Sequence, residues 1–384
     1  MKLVLCLVAM LALREAFGKM DIKVVHTWEL EDKSLNTSIP ASVVHDAKGD
    51  KLYLAVPRIN EDIQDTLIEL SKDDKKKSPK VKPFAGSPKK VLTSIYHTFI
   101  DECERLWVLD SGSIDNDKEM GKFPTQSVSI IAFNLKDRKN PEIYRSVIPN
   151  VKNPNYFGQF VVDVINPGGG CGQTYVYMPN DKDNTLYIHD VLARGSWSIT
   201  NEKFKPENNA LLQVFGKDLT YKSGIRVLAL GNRDTDGHRT VYYIVGSGTK
   251  LWSISTKYLK YRSSLITPIL IGDRGENTTA LAMTYDPKTK VLFFAEPILN
   301  RISCWNTVGA FNDRNRDVVY QDKKPLSVTD FSVDEDGTLW FMSYVSSTKK
   351  REILKFWKKN KDQRIHIEVW KAETAKAVKG TKCV

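Results

Sequence analysis

The stretch Val328-Thr329-Asp330-Phe331-Ser332-Val333-Asp334-Glu335-Asp336-Gly337-Thr338-Leu339-Trp340-Phe341-Met342 decides the fold. It opens as a mainly apolar run, breaks at Asp334 to Gly337, and resumes as a β-branched and aromatic run. Gly supplies positive φ and Asp bonds its own turn backbone, so the stretch reads as a β-hairpin. The same pattern recurs at residues 39–56, 93–109, 160–177, 224–245 and 279–295, making six instances with 328–342. A further strand is expected after each, at 66–70, 127–135, 184–191, 250–256, 301–307 and 352–357. Lys250-Leu251-Trp252-Ser253-Ile254-Ser255 alternates with the period of two that a strand with one buried face requires. The aromatic strands, marked by Tyr53, Trp107, Tyr175, Tyr242, Phe293 and Trp340, recur every 47 to 68 residues. Antiparallel sheets repeating at about 50 residues predict an all-β, six-bladed β-propeller around one central channel. The apolar first strand of each unit is expected to be innermost. Two β-sandwiches would need a linker near the midpoint, whereas residues 150–154 read as an inter-blade loop.

Residues 3–13 are an unbroken apolar run between Lys2 and Arg14, followed by Ala16-Phe17-Gly18. The run is too short to cross a bilayer, which takes about 20 apolar residues. It predicts a secretory signal peptide over 1–18 and one propeller domain over 19–384, secreted, without membrane insertion and monomeric. Cys6 would leave with that peptide, and Cys103, Cys171, Cys304 and Cys383 would remain in a compartment where disulfides persist. Four cysteines admit three pairings. Cys103 and Cys171 fall in the hairpin turns of the second and third units, so the pairing expected is Cys103–Cys171 with Cys304–Cys383, the second bond tethering the tail. The sequons at Asn36 and Asn277 are candidate glycosylation sites.

Lys and Arg number 57 against 46 Asp and Glu, a formal charge of +11. The excess is concentrated in residues 72–77 with Lys80 and Lys82, in Lys349-Lys350-Arg351, and after Trp357. On a secreted protein such runs are solvated loops or suit anionic glycosaminoglycans rather than nucleic acid. The six histidines, His26, His45, His97, His189, His238 and His366, lack metal-ligand spacing, and each reads as a satisfied histidine. No C-x-x-C, H-E-x-x-H, Walker A or G-x-S-x-G pattern is present, and no cofactor is implied. One enzymatic alternative is a central calcium held by Asp163, Asp330 and Asp110, since calcium takes six to eight oxygen ligands. A channel with aromatic walls and a few polar groups is otherwise a natural small-ligand site.

Three segments carry a family resemblance: Asp101-Glu102-Cys103-Glu104-Arg105-Leu106-Trp107-Val108-Leu109-Asp110-Ser111-Gly112, Tyr285-Asp286-Pro287-Lys288-Thr289-Lys290-Val291-Leu292-Phe293-Phe294, and Asp336-Gly337-Thr338-Leu339-Trp340-Phe341-Met342-Ser343. Together they resemble the yellow / major royal jelly protein family. Ile302-Ser303-Cys304-Trp305-Asn306-Thr307 and Val328 to Asp334 look most like its sand fly salivary members. The resemblance implies a non-enzymatic propeller that binds biogenic amines such as serotonin, histamine and catecholamines in its channel, opposing haemostasis and inflammation at a bite. Some yellow proteins are instead credited with a pigment-pathway activity. The family's amine contacts are a Thr followed by Asp on the last inner strand, then an Asn and a Phe beyond the following aromatic strand. Here the first is Thr329, beside Asp330, while Tyr344 replaces the Asn and Ser346 the Phe. Arg226 in Gly224-Ile225-Arg226-Val227 departs from a Gly-Ile-Phe-Gly pattern. Pointing into the channel at about 6 Å, Arg226 would repel an ammonium by about 3 kcal/mol at an effective dielectric near 20. Facing a neighbouring blade, it would not.

Overall fold

Each hairpin is extended by two further strands into a four-stranded antiparallel sheet, and the described residues form six such sheets with one two-stranded ribbon of Gln213–Val214 and Lys217–Asp218. The computed structural model describes residues 22–29, 40–58, 63, 65–71, 78–84, 92–114, 126–137, 141–207, 213–214, 217–218, 222–262, 266–321, 326–346 and 365–384. The expected signal peptide, Asn36 and the basic runs at 72–77, 349–351 and 357–364 lie outside the described residues. Among those described, no helix is long and apolar enough to cross a membrane. Asn277 is exposed.

Blade 1 comprises Ser42–Asp46, Lys51–Ala55, Leu67–Ser71 and Lys82–Pro83. Blade 2 comprises Ile95–Ile100, Arg105–Asp110, Ser129–Asn134 and Glu142–Val147, and blade 3 Val161–Val164, Thr174–Asn180, Thr185–Asp190 and Gly195–Thr200. Blade 4 follows with Ile225–Arg233, Arg239–Val245, Lys250–Ser255 and Ile269–Asp273, and blade 5 with Met283–Asp286, Val291–Glu296, Arg301–Asn306 and Arg316–Gln321. Blade 6 takes Leu326–Val333, Thr338–Ser346 and Ile365–Glu373 from one end of the chain and Lys23–Glu29 from the other. That last strand pairs Trp28 with Ile367 and closes the ring.

One expectation is corrected here. The strand beside Thr338–Ser346 is Ile365–Glu373, with Trp340 opposite Lys371 and Ser346 opposite Ile365, whereas residues 352–357 lie outside the described set. Lys358, Lys359 and Lys361 follow the run at 352–357, while 365–373 alternates as Ile-His-Ile-Glu-Val-Trp-Lys-Ala-Glu and fits a sheet with one buried face.

The core is divided among the seams. Six apolar clusters each join two adjacent blades, as when Trp28, Trp340 and Tyr344 of blade 6 meet Val43, Leu52 and Leu54 of blade 1. Period-two alternation sends one face of every sheet to each neighbour, so both faces of the inner strands are covered, and only the short outermost strands present a free edge. The turn aspartates repeat a second device. Asp101 and Asp334 each accept the indole N–H of the tryptophan six residues on, Trp107 at 2.7 Å and Trp340 at 2.8 Å, and each caps the intervening turn. The disulfides are Cys103–Cys171, between the turns of blades 2 and 3, and Cys304–Cys383, from blade 5 to the tail beyond the Thr374–Val378 helix.

His189 in blade 3 is fully buried, with Nε2 2.6 Å from the Tyr144 hydroxyl of blade 2 and Nδ1 2.7 Å from Ser196 Oγ. Burial pushes its pKa down to about 4, because the charged ring cannot be hydrated there. The unfolded chain, with an ordinary pKa near 6.5, binds the extra proton first, so this contribution is intact above that pH and is lost as pH falls towards 4. The linked loss is about 3 kcal/mol. Comparing urea unfolding of the wild type and His189→Gln from pH 7 to 4 checks it: the variant should lack that part of the slope, and parallel profiles would refute it.

Candidate functional site

The inner strands of blades 1, 3 and 5 keep a regular register with their neighbours, whereas those of blades 2, 4 and 6 are interrupted. The shifts fall between Ile95 and Thr98, between Ile225 and Val227 and again between Leu230 and Arg233, and between Val328 and Asp330. Tyr96, His97, Arg226 and Thr329 therefore sit at bulges, where an extra residue breaks the alternation and re-aims side chains. In a propeller the inner strands line the channel, so these irregularities lie at its wall.

Two sets of hydrogen bonds between inner strands together touch all six blades. Asp330 of blade 6 accepts from Val43 N–H of blade 1 at 3.0 Å and meets His97 Nε2 of blade 2 at 3.0 Å. Gln159, just before the inner strand of blade 3, donates its backbone N–H to Arg226 O of blade 4 at 2.9 Å. Its side-chain amide donates to Met283 O of blade 5 at 2.7 Å and Phe331 O of blade 6 at 3.2 Å, and accepts from Met283 N–H at 3.2 Å. The glycine at 158 permits this approach, since a Cβ there would lie 1.8 Å from Arg226 O. Gln159 thus ties blade 3 to blades 5 and 6 and lines the cavity on the side where the inner strands enter their hairpin turns.

Thr329 lies on the start side, one residue before Asp330. It is half-buried, and its Oγ1 is screened from water without a hydrogen-bond partner. A buried hydroxyl in that state costs about 1–3 kcal/mol, so the position is not explained by stability. Arg226 pairs with the fully buried Asp181 of blade 3, whose Oδ2 also accepts from Ser223 Oγ at 2.7 Å. The guanidinium is therefore compensated by a carboxylate on the neighbouring blade. Tyr344 is buried in the seam between blades 6 and 1, and its hydroxyl donates to Pro40 O. Ser346 ends its strand opposite Ile365, and its side chain lies outside the described set.

On the turn side the channel opens into a cavity of about 230 Å³ walled by Phe99, Met283, Tyr285, Phe331, His45 and His97. Its rim carries Asp101, Glu102, Glu104, Asp334 and Glu335 against Arg239. Burial raises the Glu102 carboxyl above its ordinary range, although Arg239 at 3.0 Å and Arg233 at 3.7 Å pull the other way. Burial also pushes Asp334 up, but hydrogen bonds from His45, the Thr338 N–H and the Trp340 indole outweigh it and hold the carboxyl below the usual value.

The three carboxylates considered for calcium do not converge. Asp163 pairs with Lys260 at 2.7 Å and Arg233 at 3.4 Å, Asp110 accepts the N–H groups of Thr93, Ser94 and Gly112, and Asp330 is engaged by Val43 N–H and His97. No group of three or more His, Cys, Asp or Glu among the described residues is placed to hold a metal ion. Reading every histidine as satisfied needs correction. His97 Nδ1 and His45 Nε2 are buried without partners, although each ring's other nitrogen meets a carboxylate. Neither they nor Gln159 carry a spacing signal, because their partners lie 124 to 289 residues away in sequence.

Comparison with known proteins agrees with this architecture. The family profile described as Major royal jelly protein matches residues 93–383. The yellow-related salivary protein ASP4 of Phlebotomus orientalis is 41% identical over 394 residues, covering 100% of this chain and 98% of that protein. SP04 of Phlebotomus argentipes is 44% identical over 310 residues, covering 80% and 78%, and LJM11 of Lutzomyia longipalpis 40% over 357 residues, covering 90% and 88%. With identity of this order along the whole chain, a six-bladed ring closed by its N-terminal strand and two disulfides linking distant segments, the chain belongs to the major royal jelly protein family, among relatives that are yellow-related salivary proteins of sand flies.

Proposed function

We propose that the chain is a secreted, non-enzymatic salivary protein that sequesters small aromatic or imidazole amines on the start side of its channel. The observation that carries this reading is the buried, unpartnered Thr329 hydroxyl on the bulge of the last inner strand. A hydroxyl kept dry and unbonded at a stability cost is an acceptor waiting for a donor, and an ammonium supplies up to three. Two further facts support it. Arg226 is held by Asp181, which removes the repulsion an uncompensated cation would exert. Asp330 adjoins Thr329 and contributes negative potential, although its oxygens are engaged by Val43 and His97. Tyr344 packs in the seam between blades 6 and 1, with its hydroxyl proton directed to Pro40.

Calorimetric titration of serotonin tests the reading. Thr329→Val should weaken binding by about ten- to hundredfold, the worth of one hydrogen bond to a charged group. The same variant should be as stable as the wild type or slightly more so, because it removes a buried unsatisfied hydroxyl. Serotonin binding unchanged by Thr329→Val would overturn the role of that residue, and no binding by the wild type would overturn the function.

A further inference from the structure

We propose that the outer edge of blade 3, with the short helix of blade 4 packed beside it, docks a sulfated polysaccharide. This surface lies outside the channel and uses none of the residues assigned to amine binding.

The outermost strand of blade 3, Gly195–Thr200, has a free edge on which Ser198 and Thr200 are exposed. Before it, Arg194 holds its guanidinium 4.7 Å from the centre of the Tyr144 ring of blade 2 and donates to Arg145 O at 2.6 Å. The helix Thr256–Lys260 of blade 4 approaches the same strand, where Leu259 O accepts the Trp197 indole N–H at 3.2 Å. Two residues past that helix, Arg262 places its guanidinium 4.6 Å from the Trp197 ring, with Nη2 only 3.5 Å from where a Cβ on Gly195 would stand. The two arginines are therefore neighbours at one end of the strand. Past the other end, Lys203 lies 5.6 Å from the Trp252 ring.

An aromatic ring beneath a guanidinium fixes its plane and leaves the edge N–H donors pointing outward. That fork grips two oxygens of one oxyanion, which an ammonium cannot do. A six-residue strand is about 20 Å long, so cations at both ends call for anionic groups repeated along a chain rather than for one small anion. The nearby acids are mostly engaged. Glu142 is held by both arms of Arg145 at 2.8 Å, Glu202 by Lys205 at 2.7 Å and Asp163 by Lys260 at 2.7 Å, while Asp190 caps the Ala193 N–H at 2.9 Å. Asp234 and Asp236, in the turn whose His238 meets Tyr261, bound the basic strip on that side. Arg194, Lys203, Lys257 and Arg262 are exposed and make no ion pair among the described residues. Between these cations the strand offers hydroxyls, and Tyr258 and Tyr261 beside it expose ring faces, which suit a sugar chain. An anionic bilayer would instead call for an apolar protrusion.

The test is fluorescence anisotropy of a labelled heparin octasaccharide titrated with the intact protein, against an unsulfated octasaccharide of the same backbone. The double variant Arg194→Gln, Arg262→Gln should bind the sulfated chain about tenfold or more weakly, with serotonin titration unchanged. Lys379→Gln with Lys382→Gln removes the same charge from exposed positions of the C-terminal tail and should stay within about twofold of wild type. Arg262→Lys keeps the charge and deletes the fork, so a loss of about threefold or more is expected from a variant that leaves folding untouched. Equal losses in the two double variants would overturn the proposal in favour of general charge attraction. An arginine pair that binds like wild type, or equal binding of the unsulfated chain, would also overturn it. Binding to phosphatidylserine vesicles that depends on the arginine pair, without octasaccharide binding, would replace the polysaccharide by a membrane.

Discussion

Asp330→Ala lowers the unfolding free energy by about 3–5 kcal/mol, the loss expected when one partner of a buried charged hydrogen-bond set is deleted. Asp330 is 1% exposed and reaches from blade 6 to two other blades, accepting Val43 N–H with Oδ2 and facing His97 Nε2 with Oδ1. Alanine leaves a backbone N–H and an imidazole nitrogen dry and unpaired, and each such group costs about 1–3 kcal/mol. Asp330→Asn keeps the shape and one acceptor, so it should lose less than the alanine. Urea unfolding followed by tryptophan fluorescence, with the disulfides intact, separates the two. A loss below 1 kcal/mol for the alanine variant would show that Asp330 does not hold blades 6, 1 and 2 together.

Replacing both Cys304 and Cys383 by serine costs about 2–5 kcal/mol. The bond spans 79 residues of sequence, and in the chain-entropy account a loop of that length restrains the unfolded state by about 4–5 kcal/mol. It also fastens the C-terminal helix, whose Ala377 and Val378 pack with Val291, Phe293 and Cys304 in the seam between blades 5 and 6. The double variant therefore loses packing as well as the cross-link. The Cys103→Ser, Cys171→Ser pair spans 68 residues and should lose a comparable amount, mainly by the entropic route, since both cysteines are only partly buried against the blade 2 and 3 cluster. Denaturant midpoints for the two double variants measure the difference, and unchanged stability in the Cys304 and Cys383 pair would refute the tether.

The hairpins were legible because their signals are local. Asp334 to Gly337 is a turn by composition, Trp340 lies six residues after its capping aspartate, and the apolar alternation on both sides is imposed by the pleat. The same reading extended too early at the end of blade 6, where the strand lies at Ile365–Glu373. Thr329 could be singled out through a resemblance, but its unpaired hydroxyl could not, since that depends on a bulge and on what surrounds it. Tyr344 read as a candidate channel contact until the fold directed its hydroxyl to Pro40, 304 residues away.

The amino-acid sequence by itself determined six hairpins, an all-β ring and the cysteines able to staple it, because period-two patterning and turn chemistry act over a few residues. Only the tertiary structure decided that Arg226 is answered by Asp181, that Gln159 ties blade 3 to blades 5 and 6, and that His45 and His97 line a common cavity. Those facts depend on which inner strands face one another across the axis, and ring closure between residues at opposite ends of the chain sets that arrangement.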